Sequence, residues 1–221
     1  MRGQQIDSYS AEKEWYDSED GVDRLSTWYS DGKERAFTQF IADNAPFPPE
    51  GRIVEIGGGA GLQGLHWARL FGERYEHSDY AEPMVERARE LGLKSRAIDG
   101  LDMPYEDGAL GGLLMIGTST IIWDQDMRVR QFKEAYRVLA PGGVAVLVAS
   151  RVAGLRYGRG LNRSDLRILE EMGFKPILFR DWGAIPGRFW RDRVSPAFAM
   201  AENVLSKVGL GIRRTMIVRK K

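Results

Sequence analysis

From residue 50 onward, short apolar runs alternate with stretches whose apolar residues recur every three or four positions. That alternation predicts strands and helices in turn. "RIVEI" (52–56) reads as a strand. The segment behind it reads as a helix entered at about Gly61 or Leu62, with Leu62, Leu65, Ala68 and Phe71 recurring every third residue up to Gly72. "RYEHSD" (74–79) is the next strand; Pro83 suits the first turn of a helix through "MVERAREL" (84–91), and Gly92 its C′ position. "KSRAI" (94–98) is a third strand and "LLMIG" (113–117) a fully buried one. Phe132, Ala135, Tyr136 and Leu139 fall on one helical face, "PGG" (141–143) stops that helix, and "VAVLVAS" (144–150) is a core strand. Such repetition implies a parallel sheet with helices on both faces.

The pattern changes on either side of that core. Residues 1–48 are polar with interspersed aromatics and read as a helical cap segment, closed by the helix-breaking "APFPPEGR" (45–52). Residues 49–150 form the alternating core, and 151–221 a section with a different layout, all in one domain. In that section "RVAGLRYGRGLNR" (151–163) is a loop, "SDLRILEEMG" (164–173) a helix capped at Ser164, and "FKPILF" (174–179) a strand. "RDWGAIPGRFWRDRV" (180–194) is an irregular insertion. Ser195-Pro196 opens a helix that Gly209 closes, and "IRRTMIVRK" (212–220) is a terminal strand. Two strands separated by an insertion and one helix predict antiparallel partners at the sheet edge.

Charge sharpens this division. The chain is nearly neutral at +1, yet residues 151–221 hold 16 Lys and Arg against 6 Asp and Glu, while residues 1–150 hold 16 against 25. The two sections therefore present different electrostatic surfaces. With no cysteine among 221 residues, a disulfide framework, a thiolate metal site and a cysteine nucleophile are excluded. Two histidines and scattered carboxylates show no metal-ligand spacing, so no metal is expected. No apolar run approaches a membrane span and "MRGQQIDSYSAEKEW" (1–15) has no apolar signal core, so the expected address is the cytoplasm.

The chemistry concentrates in "IVEIGGGAGLQG" (53–64), five glycines in twelve residues directly behind the first strand. Such a cluster suits a backbone brought close to a ligand. Two frames overlap: Gly57, Gly59 and Gly61 read as G-x-G-x-G, and Gly59, Gly61 and Gly64 as the dinucleotide pattern G-x-G-x-x-G. Glu55 lies inside the strand two residues before Gly57, and the dinucleotide frame would start late, so the nearer frame is G-x-G-x-G. Asp79, at the end of the second strand and 22 residues after Gly57, is placed to accept from a ribose diol.

"VEIGGGAG" (54–61), "SDYAEPMVERAR" (78–89), "IDGLDMPYEDGAL" (98–110) and "EAYRVLAPGG" (134–143), in that order and spacing, resemble class I S-adenosylmethionine-dependent methyltransferases. The likeness is greatest to the small-molecule type typified by ubiquinone and menaquinone methyltransferases. It covers roughly residues 50–150. The resemblance implies an α/β fold, Rossmann-like, with a seven-stranded mostly parallel sheet, helices on both faces and an antiparallel last strand. It implies that Gly57, Gly59 and Gly61 pass under the methionine part of S-adenosylmethionine, with Glu55 tying the loop from behind. Asp79 would hold the ribose, Tyr80 and Met84 would flank adenine, and Asp99 would accept from its amino group beside Gly100 and Leu101. Ile116 and Gly117 would receive the methionine amino group. One departure stands out: Leu110-Gly111 replaces the Phe-Asp usual in the family, and a Gly111-Gly112 pair weakens the start of a strand.

Tyr29 and Trp123 are candidates for aromatic faces toward the sulfonium. No general base is evident; His66 and His77 read as packed residues. The 151–163 loop and the 181–194 insertion mix arginines, Arg188 and Arg191 among them, with Tyr157, Trp182, Phe189 and Trp190. That mixture suits an amphipathic acceptor with an anionic part, lipid-linked intermediates at a membrane surface included. Cytosine C5 chemistry is excluded by the missing cysteine. The Asp/Asn-Pro-Pro-aromatic motif of amino-methylating enzymes is absent from "IGTSTIIW" (116–123). The alternatives left open are an RNA methyltransferase using the basic section and a non-catalytic methyltransferase-like binding protein.

Overall fold

The computed structural model describes residues 31–118, 124–150, 160–184, 196–207 and 211–221. Helix α1 (Asp31–Asn44) precedes strand β1 (Arg52–Ile56), α2 (Gly64–Phe71) and β2 (Tyr75–Asp79). Then come α3 (Glu82–Glu90), β3 (Ser95–Ala97), β4 (Leu110–Ile116), α4 (Gln125–Val138) and β5 (Leu139–Ser150). The C-terminal section supplies α5 (Arg163–Glu171), β6 (Phe174–Trp182), α6 (Pro196–Lys207) and β7 (Arg213–Lys220).

The seven strands form one sheet in the order β3-β2-β1-β4-β5-β7-β6. The first five run parallel, and β7 lies antiparallel between β5 and β6. The antiparallel hairpin expected at the edge is therefore present, with the last strand slotted inside it. Strand order reverses between β1 and β4, so the loops leaving those two strands diverge and open a crevice at their carboxyl ends. Each sheet face carries its own apolar core. Val54 and Ile56 join Phe132, Ala135 and Val138 of α4 and Leu169 of α5 on one face. Ile53 joins Phe37 and Ile41 of α1, Trp67 of α2 and Ala88 of α3 on the other. Among the described residues no helix is long and apolar enough to cross a membrane.

Several local expectations change. Helix α2 starts at Gly64, later than Gly61 or Leu62; Gly61 takes a left-handed conformation that a helix cannot use. Its fully buried anchor is Trp67; Leu65, Ala68 and Phe71 pack only partly. The cap of α5 is Asn162, not Ser164. Its side chain accepts from the amides of Ser164 and Asp165, while Asp165 accepts in return from the Asn162 amide. The "PGG" turn becomes an outward bulge within β5: Leu139 pairs with Leu110 and Val144 with Gly112. Strand β6 runs on to Trp182, so the first residues of the expected insertion are strand.

The Gly111-Gly112 pair has a packing cause. A Cβ at Gly111 would lie 2.8 Å from the Glu50 carbonyl oxygen, and one at Gly112 would lie 2.7 Å from the Phe47 ring. These glycines admit the "FPPEG" turn against the sheet, and the strand register shifts there. The local weakness expected of them is offset by that close approach.

Candidate functional site

The site is built where parallel strands β1, β2 and β4 end side by side. Gly57, Gly59 and Gly61 adopt φ values of 72°, 58° and 80°, a region that L side chains rarely enter. Those are the three glycines of the G-x-G-x-G frame. Gly64 serves packing instead: a Cβ there would lie 2.8 Å from both Leu93 and the Tyr75 hydroxyl.

Asp79 fixes this loop. One carboxylate oxygen accepts from the Gly59 amide at 2.8 Å and the other from the Ala81 amide at 3.0 Å. A second tie runs from the Gly58 amide to the Ser78 carbonyl at 2.8 Å. The neighbouring turn is made in the same way, with Asp99 accepting from the Leu101 amide at 2.8 Å. The Arg130 guanidinium donates to the Leu101 carbonyl at 3.1 Å and fastens that turn to α4. Gly100 abuts Ile56, leaving no room for a side chain.

The remaining predicted residues fall around this edge. Tyr80 is exposed beside Asp79, whereas Met84 is fully buried with Ala60 and Ala81 and so supports the loop from α3. Ile116 and Gly117 close β4, and the Gly117 amide donates to the Val148 carbonyl at 2.8 Å. Glu55 is buried beneath Gly58 and accepts from the Tyr75 hydroxyl. Burial pushes its carboxyl up to about 7, against the lowering effect of the Tyr75 hydrogen bond. Tyr29, Trp123, Arg188 and Arg191 lie outside the described residues.

Both histidines are enclosed. His66 pairs with Asp31 at 3.3 Å, and burial lowers its pKa. His77 is completely buried, with Nδ1 2.7 Å from the Ser95 hydroxyl, and burial pushes it down to about 4.

Residues missed by the motif reading also border the site. Thr118 follows Gly117, and its methyl occupies the place of a Gly57 side chain. The Gln131 amide on α4 lies against Gly100. The Thr118 hydroxyl and the Gln131 Oε1 are buried and have no hydrogen-bond partner among the described residues. Orphaned buried polar atoms are costly, and two beside one crevice fit a polar ligand seated there. The signal in the sequence was slight, since a lone Thr or Gln carries no periodicity.

Farther along the same edge, the start of β7 meets the ends of β5 and β6, with Arg213 opposite Ser150 and Trp182. Arg213 forms a two-point ion pair with the buried Glu34 of α1, 2.7 Å at one contact, and lies over the Phe37 ring. Glu202 of α6 accepts from the amides of Gly183 (2.7 Å) and Ala184 (3.0 Å). Glu202 thus fixes the chain where it leaves β6.

Residues 53–143 match the sequence model of a family described as a methyltransferase domain. Among curated proteins, the chain is 29% identical over 126 residues to "Probable tRNA methyltransferase 9B" of Mus musculus, covering 55% of this chain and 26% of that protein. To the Bos taurus protein of the same name it is 29% identical over 143 residues, covering 62% and 30%. The chain thus spans less than a third of the length of these relatives. Among solved structures, a SAM-dependent methyltransferase from Thermotoga maritima superposes with a TM-score of 0.66 at 21% identity, over 94% of this chain and all of that one. Geranyl diphosphate C-methyltransferase from Streptomyces coelicolor superposes with a TM-score of 0.60 at 19% identity, over 83% and 77%.

Proposed function

We propose that this chain is a class I S-adenosylmethionine-dependent methyltransferase, a reading supported by the methyltransferase-domain match over residues 53–143, and that it methylates a small-molecule acceptor carrying an anionic part. The observation that carries the cofactor half is the glycine loop itself: three left-handed glycines at the carboxyl end of β1, with Gly59 held to Asp79. The orphaned Thr118 and Gln131 atoms fit a polar ligand in the same crevice. S-adenosylmethionine supplies, when bound, an electrophilic methyl group on a sulfonium.

The chain's own residues have positioning to do. Gly57, Gly59 and Gly61 let the backbone approach the ligand, and Asp79 would accept from the ribose hydroxyls. Asp99, Gly100 and Leu101 form the adenine side with Tyr80, while Ile116 and Gly117 face the amino acid part. In-line displacement needs alignment and exclusion of water more than it needs a base. Neither histidine is placed as one: His77 is completely buried, and His66 is buried against Asp31. A phenolic, enolic or carboxylic acceptor that ionises itself meets that requirement.

The acceptor half rests on the basic, aromatic composition of residues 151–163 and 181–194. The fold does not choose among acceptors, since one architecture hosts many chemistries. Replacing Arg188 and Arg191 together with Ala should raise the acceptor KM about tenfold and leave cofactor affinity unchanged. A neutral acceptor with an unchanged KM refutes this half.

A second reading, RNA methylation, is favoured by the name of the curated relatives. One experiment separates the two. S-adenosylmethionine and S-adenosylhomocysteine should raise the melting temperature where NAD and NADP do not. Mass spectrometry should then find a CH2 increment on a small acceptor. An increment on RNA, with RNA binding that weakens steeply with salt, would establish the second reading.

A further inference from the structure

Strand β2 breaks the rule for its position. A parallel strand flanked on both sides normally reads as a continuous apolar run. Here Tyr75, Glu76, His77 and Ser78 are all buried. Glu76 is explained by Arg52, Arg96 and Tyr105, which surround it. Tyr75, His77 and Ser78 instead gather with Glu55 under the glycine loop.

The arrangement is specific. Tyr75 donates to the Glu55 carboxylate, and the Ser78 hydroxyl donates to the Glu55 carbonyl at 2.6 Å. His77 is the direct neighbour of Glu55 across the β1–β2 ladder, and its ring meets the Gly58 and Gly59 backbone. A Cβ on Gly58 would collide with the imidazole and lie 2.8 Å from the Glu55 carboxylate oxygen. One layer of backbone therefore separates this polar platform from the face the loop presents. Apolar side chains of the same volume would support a loop without the desolvation cost of ionisable groups. A carboxyl placed there has another use.

We propose that Glu55, held by Tyr75 beneath Gly58, is a positioning residue that couples the seating of cationic S-adenosylmethionine to release of one proton from the protein. This rests on the cofactor reading above. The proton leaves the Glu55 carboxyl for solvent, and the resulting carboxylate faces the bound cation through the loop. Once the methyl has gone, the sulfur is a neutral thioether and that attraction falls. Glu55 then takes a proton back, which weakens the hold on S-adenosylhomocysteine relative to S-adenosylmethionine.

The groups facing Glu55 leave it as the one that titrates near neutrality. Tyr75 from β2 is pushed well above the usual phenol range by burial and by Glu55 itself, so it stays protonated. His77, pushed down to about 4, is neutral. Asp79, at the end of β2, is a like charge that raises Glu55, and the Trp67 indole from α2 lowers it. Binding a cation lowers a carboxyl's pKa, so affinity should rise with pH through the neutral range and level off above it.

Isothermal titration calorimetry at pH 6.0 and 7.5, in buffers of different ionisation enthalpy, tests this. The wild-type protein should release a proton on binding S-adenosylmethionine, with affinity rising about five- to tenfold between the two pH values. S-adenosylhomocysteine should show less than about a twofold change. Glu55→Gln should bind both with no proton release beyond the buffer control and no such slope. Tyr75→Phe, which deletes one hydrogen bond, should shift the rise to higher pH and keeps the test open if Glu55→Gln fails to fold. Wild-type binding without proton release, or a wild-type slope in Glu55→Gln, overturns the proposal while leaving the cofactor reading intact. Absence of binding by either ligand at both pH values overturns both.

Discussion

Asp79→Ala should weaken binding of S-adenosylmethionine and S-adenosylhomocysteine alike, by about 3 kcal/mol or roughly a hundredfold, measured by calorimetry. Two effects combine. In the proposed seat the ribose would lose a charged acceptor, whose hydrogen bonds are about twice as strong as neutral ones. The loop also loses its anchor, because the Gly59 and Ala81 amides both donate to this carboxylate. Asp79→Asn separates the two, since an amide oxygen can keep one backbone bond while the charge is gone; its loss should fall between wild type and Ala. Asp99→Ala should cost less than Asp79→Ala. Asp99 accepts from the Leu101 amide, and Arg130 fastens the same turn independently. Equal losses for the two alanine variants would mean that the Asp79 carboxylate does not dominate affinity over the Asp99 turn.

What the sequence made legible follows from which interactions leave a local pattern. The glycine frame and Asp79 were readable because left-handed turns and strand ends impose residue types at fixed spacings. The antiparallel edge was readable from the broken alternation after Ser150. The platform under the loop was not. Tyr75, His77 and Ser78 look like an ordinary strand, and only the pairing of β1 with β2 shows that Tyr75 and His77 lie against Glu55 while Ser78 bonds its carbonyl. The face of α2 was misjudged for a related reason. A three-residue repeat picks Leu62, Leu65, Ala68 and Phe71, but the helix turns every 3.6 residues and buries Trp67. At the start of α5, Asn162, Ser164 and Asp165 are all good capping types; the reciprocal Asn162–Asp165 bonds decide between them. Gly111 and Gly112 show the opposite limit. Their meaning lies in Glu50 and Phe47, some sixty residues earlier in the chain, and no window along the sequence contains both.

Asp165→Ala should destabilise the protein by about 3–5 kcal/mol in denaturant unfolding, with little change in the slope of the transition. Arg128 of α4 and Asp165 of α5 are both buried, with the guanidinium 3.2 and 3.3 Å from the two carboxylate oxygens. Removing Asp165 leaves Arg128 in the interior without that carboxylate, and the desolvation of its charge is then poorly offset. The same carboxylate accepts from the Asn162 amide at 2.8 Å, so the first turn of α5 loses half of its capping box as well. Replacing the pair together, Arg128→Met with Asp165→Leu, should recover most of the loss, because apolar contacts of similar volume carry no desolvation cost. The double variant separates stability from placement. The pair ties the start of α5, just after the 151–159 segment, to the start of α4, just after the 119–123 segment. If the proposed acceptor contacts lie in those segments and depend on this tie, the double variant should unfold like wild type yet show a raised acceptor KM. A double variant that stays several kcal/mol less stable would mean that Arg128 contributes through contacts other than Asp165, and the ion pair would lose its place as the principal tie between α4 and α5.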